Sequence, residues 1–279
     1  MDNLFEDVAS GAPDRRRFLQ KLSFAGAAVM AGVPKMLAQT TTSPAITDAD
    51  ILQFALNLEY LEAEFYTYAT TGAGIDQQGT ASIVITGSGA AGETTGGQQA
   101  FINSRMVALV AAELASDEQA HVRLIRAALT AAGITPVAKP AIDLGALGLG
   151  FGSERDFLFV SRILEDIGVT AYAGAAPLIQ DKAILGTAAQ ILATEAEHVG
   201  NVRLMAALSY VTSQALDGVD ILPPPTGTNF FSTDANALVK TRNPGQVLFL
   251  AYGNQANVKS GGFFPNGVNG TINTSAASA

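Results

Sequence analysis

The chain has 279 residues, 48% of them hydrophobic, with 16 Lys+Arg against 25 Asp+Glu for a net charge of -9. That acidic balance argues against nucleic acid and anionic membrane as partners, and the length is ample for one large core. The absence of cysteine excludes disulfides, thiol catalysis and Cys-ligated zinc or iron–sulfur centres.

At the N-terminus, Arg15-Arg16-Arg17-Phe18-Leu19 precedes an apolar run from Leu22 to Val33, and Ala38 offers a small residue for cleavage. A basic region, a short apolar region and a small residue form the pattern of a secretory signal, here over residues 1–38. The string Asp14-Arg15-Arg16-Arg17-Phe18-Leu19 resembles the bacterial twin-arginine motif. Asp14 stands where that motif has serine and Gln20 where it has lysine. A periplasmic or other extracytoplasmic location is expected, with a basic amphipathic anchor as the alternative. No later stretch is apolar over 18 residues, so no internal membrane span is expected.

After a polar linker, Thr47-Asp48-Ala49-Asp50 supplies an N-cap and an acidic first turn. A first helix should run from Asp48 to Thr70, since Ile51, Leu52, Ala55, Leu58, Leu61 and Phe65 recur at helical spacing. Residues 72–99, dense in Gly, Thr and Ser, read as a long loop with a short strand over Ser82 to Thr86. A second helix should span Gln99 to Ala132 and stop at Gly133. A Pro/Gly-rich connection over 134–152 leads to a third, from Ser153-Glu154 to Ile179 with a break at Pro177. A fourth should cover Lys182 to Leu216. Pro223-Pro224-Pro225 marks a boundary, and the extension over 216–279 should hold one more helix at Pro244 to Tyr252. Four long helices with a long second connection make an all-α four-helix bundle over residues 46–215, with a crossover between helices two and three.

Both histidines of the chain sit three residues after a glutamate, as Glu118-x-x-His121 and Glu195-x-x-His198. An i, i+3 pair projects from one helix face, and carboxylate plus imidazole is a metal-ligand unit. The first and third helices carry Glu59 with Tyr66 and Glu165 with Tyr172, at the same seven-residue spacing. The order Glu, ExxH, Glu, ExxH reads as a duplication. Glu62 shares nearly the same face as Glu59 and rivals it. Glu64, Asp117 and Glu197 read as surface residues, and Glu113 as solvated. Arg123 and Arg203 are open between pairing with a ligand carboxylate and lying at the surface. Phe263-Phe264 reads as packing or an oligomer contact.

This ligand order resembles the ferritin-like superfamily of dinuclear-metal carboxylate bundles. The segment Leu56-Asn57-Leu58-Glu59-Tyr60-Leu61-Glu62-Ala63-Glu64-Phe65-Tyr66 is similar to the subgroup typified by plant desiccation-related proteins and their bacterial relatives. The resemblance implies metal ligation by Glu59, Glu118, His121, Glu165, Glu195 and His198, with Glu62 as an added ligand or neighbour. It implies that Tyr66 and Tyr172 hydrogen-bond ligand carboxylates. Two Fe or two Mn ions are the implied cofactors, with peroxide, dioxygen or Fe(II) as the partner in an oxidoreductase of stress protection. Four inward carboxylates in an apolar bundle repel one another, and two divalent cations neutralise them. The alternative is a non-catalytic stress-related or envelope-binding protein with a structural or vestigial site. Homo-oligomer formation stays open.

Overall fold

A computed structural model describes residues 46–278, so the expected signal segment lies outside the described residues. The elements in chain order are α1 (Asp48–Thr71), β1 (Thr94–Thr95), α2 (Arg105–Ala131), β2 (Ile142–Asp143), α3 (Glu154–Ala175), α4 (Lys182–Leu208) and α5 (Pro244–Ala251). Helices α1 and α2 pair as one hairpin and α3 and α4 as another, giving the all-α four-helix architecture. No helix among the described residues is long and apolar enough to cross a membrane.

Local chemistry sets the helix starts. Thr47 and Asp50 form a reciprocal capping box on α1, at 3.2 and 2.9 Å, and Gly72 closes that helix at φ +77°. Ser153 caps α3, and Asp181 accepts from two backbone N–H groups of α4. Asn243 and Gln246 box the start of α5, with Pro244 in its first turn.

Two helix ends differ from expectation. Helix α2 begins at Arg105, not at Gln99, because the preceding backbone is committed elsewhere. Ala100 N–H bonds Ala69 O, Phe101 N–H bonds Phe151 O, and Glu154 accepts from Asn103 and Ser104. Helix α4 stops at Leu208, eight residues short of Leu216. Tyr210 turns left-handed at φ 54°, and Ser213 and Leu216 donate to Thr226 and Asp220. The strand expected at Ser82–Thr86 does not form. Ile83 is instead bonded across the loop to Ile75 O, and the parallel pairing is Thr94 with Ile142.

The core holds Phe65 stacked on Phe157, with ring centroids 5.7 Å apart, and Tyr66 edge-on to both. Val247, Leu248, Tyr252, Phe263 and Phe264 of the extension join this same core. A buried charge network ties the extension to α3 and α4. Arg162 Nη2 donates to Asp220 at 2.6 Å, and Arg162 and Arg203 both meet Asp166, at 2.9 and 2.8 Å. Arg203 also donates to the Asn229 and Phe230 carbonyls. Arg242 forks onto Asp217 at 2.8 and 2.6 Å and reaches Thr170. Arg203 is therefore neither at the surface nor paired with a candidate ligand; Arg123 is exposed and donates to Ala81 O.

Glu64 is not a surface residue. Residues 72–99 and the stretch after α2 wrap this side of α1, and Glu64 is wholly buried 3.2 Å from Lys139. Lys139 also donates to Gly92 O and Thr94 Oγ1. The pair thus pins the long loop to the helix.

Candidate metal centre

Each of the four long helices turns a glutamate inward at the same depth. Glu59, Glu118, Glu165 and Glu195 are at most 1% exposed, and Glu62, His121 and His198 are also buried. The six sequence-predicted donors are thereby brought together, and Glu62, the possible seventh, is buried beside them without joining the converging atoms. His121 Nδ1 lies 3.2 Å from Glu59, 3.2 Å from Glu118 and 3.4 Å from Glu195. His198 Nδ1 lies 3.0 Å from Glu118 and 3.3 Å from Glu165. Two groups of four donors result. Glu59, Glu118, His121 and Glu195 form one, and Glu118, Glu165, Glu195 and His198 the other, each with its ligand atoms within 4.8 Å of one another. Glu118 and Glu195 belong to both.

These atoms are close but poorly aimed at each other. Glu59 Oε2, Glu118 Oε1, Glu165 Oε2, both Glu195 oxygens and His198 Nδ1 are buried without a hydrogen-bond partner. Orphaned buried polar atoms are rare and costly in native folds. Donors held about 2.1 Å from a common ion sit about 3.0–3.4 Å from one another, by octahedral or tetrahedral geometry. The observed spacing is that of donors converging on shared points, so the residues fit a metal.

The tyrosines work crosswise. Tyr66 of α1 donates to Glu165 of α3 at 2.5 Å, and Tyr172 of α3 donates to Glu59 of α1. Burial, and then the adjoining carboxylates, push both phenols well above their usual range, so both remain donors. Asp117, expected at the surface, is half-buried and sits 3.1 Å from His198 Nε2. Accepting a hydrogen bond from Nε2 leaves Nδ1 free to face the carboxylates. Asp117, Glu113 and Glu197 line a small polar opening over His198, where Glu113 and Glu197 are exposed as expected.

The electrostatics are those of too many acids in one apolar space. Burial raises Glu62 and Glu195 well above the carboxylate range, and neighbouring glutamates raise them further. Burial takes Glu118 to about 7 against the pull of both imidazoles. Burial would raise Glu59 too, but the charge of His121 beside it brings it below its ordinary value. Burial disfavours the His198 imidazolium, yet the nearby Glu118 and Glu165 carboxylates push it up to about 12, and His121 is raised by Glu59 and its neighbours in the same way. Two imidazoles are thus recruited as the cations of the site.

Glu62 and Gly168 break the symmetry of the two halves. Both stand three residues after the inward glutamate of their helix, Glu59 on α1 and Glu165 on α3. A Cβ at Gly168 would lie 2.5 Å from Glu195 Oε2 and 3.3 Å from Glu62 Oε1. The glycine makes room for both carboxylates. Sequence reasoning overlooked it, although a helix-interior glycine costs about 1 kcal/mol and its place beside Glu165 is a signal.

Comparisons with known proteins agree with this geometry. The chain is 27% identical to a desiccation-related protein of Craterostigma plantagineum over 191 residues, 62% of this chain and 56% of that protein. The chain thus spans little more than half the length of that relative. It is 24% identical to a ferritin-like catalase of Nesocodon mauritianus over 273 residues, 81% of this chain and 84% of the relative. Residues 47–208, more than half of the chain and all four long helices, match the sequence model of the ferritin-like domain, and the chain belongs to that family.

Proposed function

We propose that this chain is an exported dimetal protein that holds two Fe or two Mn ions and acts as an oxidoreductase on peroxide, dioxygen or Fe(II) in stress protection. One observation carries the reading: two overlapping four-donor sets share Glu118 and Glu195. Glu59 with His121 would hold one ion and Glu165 with His198 the other, with Glu118 and Glu195 spanning both. When bound, such a metal pair supplies the electrons and Lewis acidity for peroxide or dioxygen chemistry.

The surrounding residues serve that site. Tyr172 and Tyr66 hold the Glu59 and Glu165 carboxylates in place by hydrogen bonds from opposite helices. Asp117 orients the His198 ring. Oxygen-rich donors with one imidazole per ion suit Fe or Mn. Peroxide disproportionation, two H2O2 to two H2O and O2, needs no external electron donor. That suits a chain with no cysteine for an accessory iron centre. A relative named as a ferritin-like catalase supports the same choice. The twin-arginine route carries folded proteins, so export by residues 1–38 is compatible with metal uptake before translocation.

Elemental analysis of the purified chain, with assays of peroxide disproportionation and Fe(II) oxidation, tests the proposal. The expected result is two Fe or Mn per chain and turnover of one of these substrates. A folded chain that takes up neither metal would falsify it. The relative named only for desiccation favours a second, non-catalytic reading. That reading gains if metal-ligand variants keep the protein's protective effect in cells.

A further inference from the structure

An apolar cavity of about 210 Å³ opens beside the centre, on a different side from the acidic opening over His198. Leu52 of α1, Ile125 of α2, and Ala188 and Ile191 of α4 line it, and Tyr172 of α3 borders it. Its outer residues include Leu124, which is 44% exposed, and Ala183, which is exposed. Among the described residues no charged side chain lines it. A second apolar hollow shares Leu52, Tyr172 and Ala188 with the first and reaches Glu62 and Gly168. The two hollows adjoin at those shared residues, and the second touches Glu62 beside the centre. Tyr172 stands at the junction, bordering both while its hydroxyl bonds Glu59.

We propose that this cavity binds an uncharged, largely apolar organic molecule about the size of benzene or toluene, held against Tyr172 beside the candidate metal centre. The size follows from the volume: an apolar protein cavity of about 150 Å³ stays dry and takes up benzene, so this one admits a slightly larger molecule. The chemistry follows from the lining. An anion or cation would lose its hydration there with no partner to replace it. Cations have the opening formed by Glu113, Asp117 and Glu197. The centre is therefore flanked by two openings of opposite character, one acidic at His198, one apolar at Tyr172. Occupancy of the second places an organic molecule next to a hydroxyl that touches a candidate ligand, as a co-substrate site requires. That last role rests on the metal reading; the binding itself does not.

The test is a calorimetric titration of the full chain with toluene, with benzoate as the charged control. Saturable toluene binding is expected, with no benzoate binding. Ala188→Phe, which fills the junction, should weaken toluene at least tenfold while metal content stays at the wild-type level. Should that variant fail to fold, Ala183→Leu at the mouth should weaken binding in the same direction. In Co(II)-loaded protein, toluene should shift the visible absorption of the metal. Absent toluene binding, equal binding in the variants, equal binding of benzoate, or an unmoved Co(II) spectrum at toluene saturation each overturns the proposal. A chain that binds metal but not toluene removes only the cavity site. A chain that binds toluene but not metal removes only the metal reading and leaves the cavity a ligand site.

Discussion

Among the described residues, the clasp and the centre are both buried charge clusters, and they are balanced differently. In the clasp between bundle and extension, Arg162, Arg203 and Arg242 face Asp166, Asp217 and Asp220, three cations against three anions. In the centre of the bundle, Glu59, Glu62, Glu118, Glu165 and Glu195 face only His121 and His198, and several oxygens have no partner. The clasp balances its charge with its own side chains, although Arg162 Nε and Nη1 and Asp166 Oδ1 have no hydrogen-bond partner there. The centre closes its charge balance only by taking up protons or cations. Burial is equally deep in both, so depth does not mark the functional site; the uncompensated sign of charge does.

Breaking the centre should have the largest effect, and it should be all or none. His121→Ala/His198→Ala removes both nitrogen donors, and metal per chain should fall to background while the helical circular dichroism persists. A variant that still holds two ions per chain would place the ligands elsewhere. Breaking the clasp should instead cost stability and leave metal content alone. Arg203→Met leaves Asp166 half-compensated and two carbonyls without a donor, and the loss should be about 3–5 kcal/mol in urea unfolding. A loss below about 1 kcal/mol would show that the network is not the tie between bundle and extension.

Finer substitutions sharpen the contrast. Gly168→Ala puts a methyl group 2.5 Å from Glu195 Oε2, and metal affinity should drop about 100-fold with little change in fold. Tyr172→Phe removes the hydrogen bond to Glu59 and should cost about tenfold in affinity. Competition with a chelator of known affinity measures both, and a Gly168→Ala protein of wild-type affinity would mean that Glu195 has room to move.

The smallest effect concerns acid. Burial alone would raise the Asp217 carboxyl, but hydrogen bonds from Arg242 and Ser278 bring it down to about 2 from 3.8. A depressed carboxyl adds stability that is fully present above its unfolded value and is lost as pH falls through its folded one. Stability of the wild type should therefore decline between about pH 4 and pH 2, and Asp217→Asn should flatten that decline. An unchanged slope in the variant would assign the acid sensitivity to other groups.

Much of this was legible in the sequence because the informative signals are local. Two glutamate–histidine pairs and two glutamate–tyrosine pairs at helical spacing mark inward faces without knowledge of how the helices meet. Helix starts were legible where a local residue announces them, as at Thr47, Ser153 and Pro244. What was missed depends on contacts distant in sequence. Glu64 lies buried only because loop 72–99 and Lys139 cover that side of α1, so a helix enclosed on every side defeats a reading that assigns one face to water. The true start of α2 depends on Glu154, fifty residues away, accepting from Asn103 and Ser104. The early stop of α4 depends on Thr226 and Asp220 claiming its would-be last turns. Asp117 was set aside because nothing adjacent announces that His198 comes to meet it.

The crossed tyrosines carry a consequence for how such a chain can be divided. Tyr66 serves the glutamate of the other hairpin, and Tyr172 returns the service. Neither hairpin contains a finished half of the centre, since each leaves its own α1- or α3-type carboxylate to be held by its counterpart. The two hairpins each hold a carboxylate of the other, so the centre is assembled only when both pack together. Glu62 and Gly168 are where the two hairpins differ, the missing side chain at one leaving room for the carboxylate at the other.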